Sequence, residues 1–293
     1  MSNTVLVICP HADDGAIFCG GQIIRFVQAG WNVVLVRVTD DRTDSMNLSF
    51  EETIRINTEQ FHMAAALLGA QTIVELGYAT DCLGDVSRVE LRERFIRLFR
   101  QHRPYAVLSF DPYATFEPNL DHIVVAQAVE EAYWTATFDK HHPEHLKEGL
   151  LPHSVCERWY FARQLSRINC VINISAVLEQ KIAAVAAHTE MIRNTINQSR
   201  LQLRTWGRYV PAIDHAVDSG SVEEYVRLWL ERRAGAWGSK YGIPFAEVYR
   251  VDRFGTWDDY YQRESLPLPD QEGFHLGSIS ISTAGDEMIW LND

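Results

Sequence analysis

One imidazole and two carboxylates fall within four residues at His11-Ala12-Asp13-Asp14, directly after the apolar run Thr4–Cys9 and shortly before Gly20-Gly21. Far downstream, Asn119-Leu120-Asp121-His122 offers a second imidazole and another carboxylate. Imidazole nitrogens and carboxylate oxygens are zinc ligands, and carboxylates also serve as general acids and bases. Two histidines and one aspartate around a single ion would leave a coordination position open for water, as catalytic zinc sites do. On that reading His11, Asp14 and His122 would share one ion, with Asp13 beside it. Each residue also has a structural alternative. Asp13 or Asp14 could N-cap a helix starting near Gly15, Pro10-His11 could be a turn, and Asp121 could cap the helix that carries His122.

Whether the clusters meet depends on the elements that carry them. The first half alternates strand-like and helix-like segments, the pattern of a mostly parallel sheet. Strands are expected at Thr4–Cys9, Trp31–Val38, Thr72–Leu76 and Tyr105–Phe110, the second of these with the near-continuous β-branched content of a strand buried on both faces. Helices are expected at about 15–29, 50–68 (ending at Gly69 as C-cap), 88–102 (stopped by Pro104) and 120–134. In such a sheet the loops after the strands open on one edge, where α/β proteins place their chemistry. His11–Asp14, Thr39-Asp40-Asp41-Arg42, Asp111-Pro112 and Asn119–His122 would then lie together. Further along, 141–152 reads as a surface loop, 158–162 and 170–174 as late strands, 175–206 as one long unbroken helix and 222–237 as another. A final strand is expected at 278–283. The expected fold is α/β, a Rossmann-like mostly parallel sheet flanked by helices over about 1–174, with a helical and loop annex over about 175–293, all in one domain.

Composition narrows the function. A net charge of −12 and the lack of any basic run argue against a nucleic-acid partner. The same balance leans mildly towards a neutral or cationic ligand. The five cysteines show no CxxC spacing, which speaks against a disulfide framework or zinc finger and for a reducing, cytoplasmic compartment. No apolar stretch approaches the ~20 residues that span a bilayer, so no membrane partner is expected. Gly20-Gly21 is a poor phosphate cradle, because no G-x-G-x-x-G follows the first strand.

The run Pro10-His-Ala-Asp-Asp-Gly-Ala-Ile-Phe-Cys-Gly-Gly21 resembles the His-x-Asp-Asp…Gly-Gly signature of the PIG-L/LmbE-like, zinc-dependent N-deacetylases. Asn119–His122 resembles that family's second signature, usually His-x-Asp-His, and Leu76-Gly77-Tyr78 with Asp81 resembles a segment that supplies a substrate-contacting Asp. Lys240-Tyr241-Gly242 and Ala246-Glu-Val-Tyr-Arg250 also look familial. The resemblance implies one zinc ion per chain held by His11, Asp14 and His122, with Asp13 as general base and Asp121 orienting a histidine. It implies hydrolysis of the N-acetyl group of an N-acetylglucosamine-type conjugate, an aminoglycoside or other secondary-metabolite intermediate among them, by metal-activated water. The alternatives are cleavage of another acyl amide and a non-catalytic sugar- or nucleotide-binding module. Gly15 replaces an acidic residue, and Asn119 replaces a histidine thought to stabilise the tetrahedral intermediate. An amide can donate to an oxyanion but cannot shuttle a proton.

Arg55 sits near where family members often carry an arginine facing the substrate, although a solvated helix face also accounts for Arg55 and Glu59. The group His141-His142-Pro143-Glu144-His145 could bind metal but reads as solvated loop. Trp257-Asp-Asp-Tyr-Tyr261 is the best candidate for stacking on sugars, whereas Trp134 and Trp229 read as core. A homo-oligomer is compatible with all of this.

Overall fold

The computed structural model of the protein describes residues 3–266 and 288–291. The first half consists of β1 (Thr4–Cys9), α1 (Asp14–Gln28), β2 (Asn32–Thr39), α2 (Phe50–Leu68), β3 (Thr72–Tyr78), α3 (Arg88–His102), β4 (Ala106–Phe110) and α4 (Leu120–Thr135). After a single turn of helix, α5 (Glu144–Lys147), come β5 (Glu157–Phe161) and β6 (Cys170–Asn173). Four helices follow, α6 (Leu178–Ala186), α7 (Thr189–Thr205), α8 (Pro211–Ser219) and α9 (Glu223–Gly238), then β7 (Ala246–Asp252), α10 (Asp258–Glu264) and β8 (Met288–Trp290).

One eight-stranded sheet runs in the order β3-β2-β1-β4-β5-β7-β6-β8. Its first five strands pair in parallel, and the pairings of β5 with β7, β7 with β6 and β6 with β8 are antiparallel. Central β1 is apolar on both faces because helices cover both. Val5 and Val7 belong to one core cluster with α1, α2 and α6, and Leu6 and Ile8 to the other with α3 and α4. The chain reverses direction between β1 and β4 in the order, so the loops after those two strands flank a crevice at the carboxyl edge.

Local chemistry sets the helix ends. Ser49 and Glu52 form a capping box at α2, and Gly69 closes that helix in the left-handed region at φ 83°. The Gly20-Gly21 pair answers a close approach. A Cβ on Gly21 would lie 2.5 Å from Ile174 Cγ2 and 2.9 Å from Glu247 Oε1. Helix α1 leaves helical geometry at Cys19 (φ −138°), and Glu247 on β7 accepts the amides of Gly21 and Gln22 at 2.8 and 2.9 Å.

Three expectations change. The stretch 175–206 is two helices, broken at Ala187-His188, where His188 turns the chain at ψ 52°. Strand β7 inserts between β5 and β6, and its antiparallel pairing has no periodicity signal distinct from that of a loop. Trp134 is 68% exposed and packs only edge-on against Phe138, so its helical spacing placed it on the outer face of α4. Trp229 does pack against the core. The strand expected at 278–283 lies outside the described residues. No helix among the described residues is long and apolar enough to cross a membrane.

Candidate active site

The crevice gathers the two clusters. His11 follows β1, Asp14 opens α1, and His122 sits in the first turn of α4, all three buried. Nδ1 of His11 lies 3.1 Å from Nε2 of His122, and Asp14 places Oδ2 3.4 Å from the first nitrogen and Oδ1 3.4 Å from the second. A tetrahedral ion with ligands at ~2.0–2.1 Å separates neighbouring ligand atoms by about 3.3 Å. Asp14 reaches the two imidazoles through different oxygens, and the set with one donor atom from each residue lies within 4.8 Å, so the three side chains converge as ligands of one zinc-sized ion would. Two ring nitrogens facing each other at this distance need either a shared proton or a cation between them, so the donor set fits a divalent metal.

Supporting groups fix the ligands. Asp14 Oδ2 accepts the backbone N–H of His11 at 2.8 Å. Asp121, whose side chain is fully buried, accepts the amides of Asp81 (2.7 Å) and Leu83 (3.3 Å) and places Oδ2 3.5 Å from Nε2 of His11. On the other histidine, Glu117 Oε1 lies 3.2 Å from Nδ1, at an angle short of a good hydrogen bond. Outer carboxylates of this kind orient imidazole ligands and raise their basicity.

The helix-capping alternatives do not hold for the aspartates. Asp13 occupies the N-cap position of α1 without a side-chain capping bond, and Asp14 and Asp121 are engaged as above. Asn119 is the residue that caps, its Oδ1 accepting the amides of Asp121 (2.9 Å) and His122 (3.4 Å). With Oδ1 committed to α4, only Nδ2 is left to donate elsewhere.

Electrostatics separate the two adjacent aspartates. Burial, and then the neighbouring charge of Asp14, push the Asp13 carboxyl well above the ordinary carboxylate range. Asp14 is held low despite its burial, by His122 and His11. Burial opposes the charge on His11, but Asp121 and Asp14 outweigh it and raise the imidazole well above its ordinary value. Burial pushes Asp41 up to about 7 and Asp44 up to about 6. Asp41 Oδ2 accepts the amide of Ala12 at 3.3 Å and so ties the β2 loop to the first cluster.

Among the peripheral candidates, Asp81 stands at the rim, exposed, accepting from Thr43 Oγ1 at 3.0 Å. Arg55 lies on the exposed face of α2 and pairs with Glu59 at 2.9 Å. Gly15 is a packing position, since a Cβ there would come within 3.2 Å of Cys9 Sγ. His145 is fully buried rather than solvated, with Nε2 on Glu93 (2.8 Å) and Nδ1 beside Arg100 (3.3 Å). His142, Glu144 and His145 have metal-compatible spacing, but both His145 nitrogens are already engaged. Trp257, Tyr260 and Tyr261 stack mainly on one another. Glu117 is the functional candidate that the sequence reading missed, because its reach depends on the shape of the loop between β4 and α4. Asp41, Asp81 and Phe116, one on each of three edge loops, take positive φ values of 56°, 63° and 58°. Strained backbone of this kind concentrates at binding sites.

A doubly covered α/β sheet here carries a buried His-Asp-His group that could hold a metal ion, with an acidic residue beside it. Comparison with known proteins specifies the class. Residues 6–133 match the family model described as PIG-L, GlcNAc-PI de-N-acetylase. The diacetylchitobiose deacetylase of Thermococcus kodakarensis is 31% identical over 186 residues, covering 63% of this chain and 68% of that protein. The chain belongs to the PIG-L/LmbE-like N-deacetylase family, and it is an amide hydrolase of that class. The N,N'-diacetylchitobiose deacetylase of Pyrococcus horikoshii superposes with a TM-score of 0.70 at 22% identity, over 92% of this chain and 88% of that one. The 4-carboxy-2-hydroxymuconate hydratase of Pseudomonas putida superposes at 0.60 with 17% identity, over 85% and 95%. At these identities the likeness is one of fold, and a fold shared with a hydratase does not choose the reaction.

Proposed function

We propose that this chain removes the acetyl group from the nitrogen of an N-acetylglucosamine-type conjugate, with His11, Asp14 and His122 holding one zinc ion and Asp13 acting as general base. The observation that carries this is the buried convergence of His11, Asp14 and His122, at contacts of 3.1, 3.4 and 3.4 Å, with the buried Asp13 next to Asp14 and its pKa raised by burial. A bound zinc ion supplies Lewis acidity and a water of pKa near ~7.

The protein's own groups do the rest. Asp13 takes a proton from the attacking water and returns it to the departing amine, a role suited to a carboxyl raised towards the working pH. Asp121 steadies the His11 ring from beside Nε2, and Glu117 places its charge 3.2 Å from Nδ1 of His122. Asn119 Nδ2 is the donor available to the oxygen that gains charge as the amide carbonyl becomes tetrahedral. Asp81, fixed by its own amide on Asp121, presents a carboxylate at the rim for sugar hydroxyls.

The test is Asp13→Asn assayed on N,N'-diacetylchitobiose, with zinc content measured in parallel. The variant is expected to keep about one zinc per chain and to lose amine release by at least ~100-fold. Equal activity in the variant would remove Asp13 from its role. Zinc-loaded wild type that releases no amine from this or other N-acetylglucosaminyl conjugates would sink the reaction itself.

A further inference from the structure

A pocket of about 40 Å³ lies between α1, α6, α9, β7 and the end of β5, partly open to solvent beside Arg163. One water needs roughly 10–15 Å³ measured this way, so the space suits about three water-sized groups, the size of a carboxylate. Its charged lining is Arg163, Lys181, Arg233 and Glu247. Glu247 is saturated, accepting from Gly21 N, Gln22 N, Lys181 Nζ (2.6 Å) and Tyr249 Oη (2.5 Å). Its charge and that of Lys181 cancel. Two guanidiniums remain, of which Arg163 is paired with Glu117 at 3.3 Å.

Arg233 donates to the carbonyl oxygen of Ala162 at 3.2 Å and has no acidic partner within 4 Å among the described residues. Arg163 shares Glu117 with His122, its Nε lying 3.3 Å from the Oε1 that faces the imidazole. The two guanidiniums lie 5.1 and 5.9 Å from the centre of the Phe18 ring. Burial and the like charge of Arg163 both lower the basicity of Arg233, a strain that an anion would relieve. In a chain of net charge −12, two arginines beside a carboxylate-sized space with one carboxylate between them are a local excess of positive charge.

The cavity adjoins the metal-competent cluster. Phe18 meets Phe110 edge-on at 5.0 Å, and Phe110 stacks on His122 at 4.0 Å. Asp13, Asp14, Asp41 and Asp44 cluster around His11 and His122 rather than around this cavity. Hydrolysis of an acetamide consumes one water, breaks the C–N bond and yields one amine and one acetate. We propose that the cavity binds a small carboxylate, either the acetate so released or an acidic group carried by the substrate. The site stands on geometry alone; only the first of its two sources rests on the proposed reaction.

The experiment titrates ¹³C-labelled acetate into the zinc-loaded protein and reads a dissociation constant from the broadening of its NMR signal. Arg233→Met and Arg163→Gln are each expected to weaken binding about tenfold or more, the scale of a lost charged hydrogen bond. Circular dichroism confirms folding. If Arg233→Met fails to fold, Arg233→Gln carries the test, because Arg163 shares Glu117 with His122 and its loss alone would not separate the pocket from the metal-competent cluster. Unchanged affinity in the folded variants would place acetate on the metal or nowhere, and overturn the proposal. KM for N-acetylglucosaminyl substrates with and without a carboxylate then separates the sources. A rise confined to the acidic substrate identifies a substituent site, and weakened acetate binding with both KM values held identifies a product site. If neither substrate releases amine while acetate still binds through the arginines, the reaction fails and the anion site stands.

Discussion

Glu117→Gln tests whether the outer carboxylates tune the metal site. The substitution keeps the shape of the side chain and an acceptor for the amide of Asn119, now 3.1 Å away, while removing one charge. That charge lies 3.2 Å from His122 Nδ1 on a side chain only 5% exposed. Two full charges at that distance would interact by about 5 kcal/mol at an effective dielectric of ~20. A ligating imidazole carries only part of an ion's charge, and Arg163 already offsets Glu117 from 3.3 Å, so the net effect is a fraction of that figure. We expect zinc affinity to fall 10- to 100-fold, about 1.4–2.7 kcal/mol, as for other outer-sphere carboxylates. Burial pushes the Glu117 carboxyl up, but His122, the Asn119 amide and Arg163 outweigh it and hold it low. The coupling is therefore fully present at neutral pH, and the difference between wild type and variant should be flat from about pH 6 to 8. Chelator competition on the folded proteins measures it. Affinity within about twofold of wild type would refute the reasoning.

Two further outcomes concern stability. Burial, with Arg37 adding to it, lowers the pKa of His188 to about 3, and neither ring nitrogen has a hydrogen-bond partner. A histidine depressed in the fold stays neutral while the unfolded chain, at ~6.5, takes up a proton, so stability drains as pH falls from about 6.5 towards 3. His188→Leu should gain on wild type by about 1.4 kcal/mol per pH unit between pH 6 and 4 in denaturant melts, and a gap that stays constant with pH would contradict this. Gly21→Ala forces a methyl group to 2.5 Å from Ile174 and 2.9 Å from Glu247; it should destabilise by about 1–3 kcal/mol or more, and a wild-type melting temperature would show that the approach is not tight.

Local signals in the chain were enough to place β1, β2, α2, α3 and α4, from their apolar periods and from end markers such as Gly69 and Pro104. The parallel-sheet rule then brought His11, Asp14 and His122 to one edge, and the structure sets their ligand atoms within 4.8 Å of one another. The reading failed where a residue's role depends on a partner distant in sequence. Nothing near Glu247 announces that it accepts amides from Gly21 and Gln22, some 225 positions earlier. Nothing near His188 marks a helix break, since the apolar spacing continues across it; its ring is buried beside Phe61, Ala64 and Leu68 of α2.

Glu247 and Asp121 show why those distant partners matter to function. Each is a buried carboxylate saturated by backbone amides of another element, Gly21 and Gln22 on α1 for the first, Asp81 and Leu83 after β3 for the second. Through Glu247, strand β7 braces the break in α1, five residues beyond the start of the helix that presents Asp14. Through Asp121, the β3 loop is fastened to the residue that also steadies His11. Such charges cost several kcal/mol to bury unless every lone pair is met, so displacing one donor strands the rest. The His11, Asp14 and His122 side chains are thus held by contacts that cannot relax singly, the kind of support that fixes a functional geometry before any ligand binds.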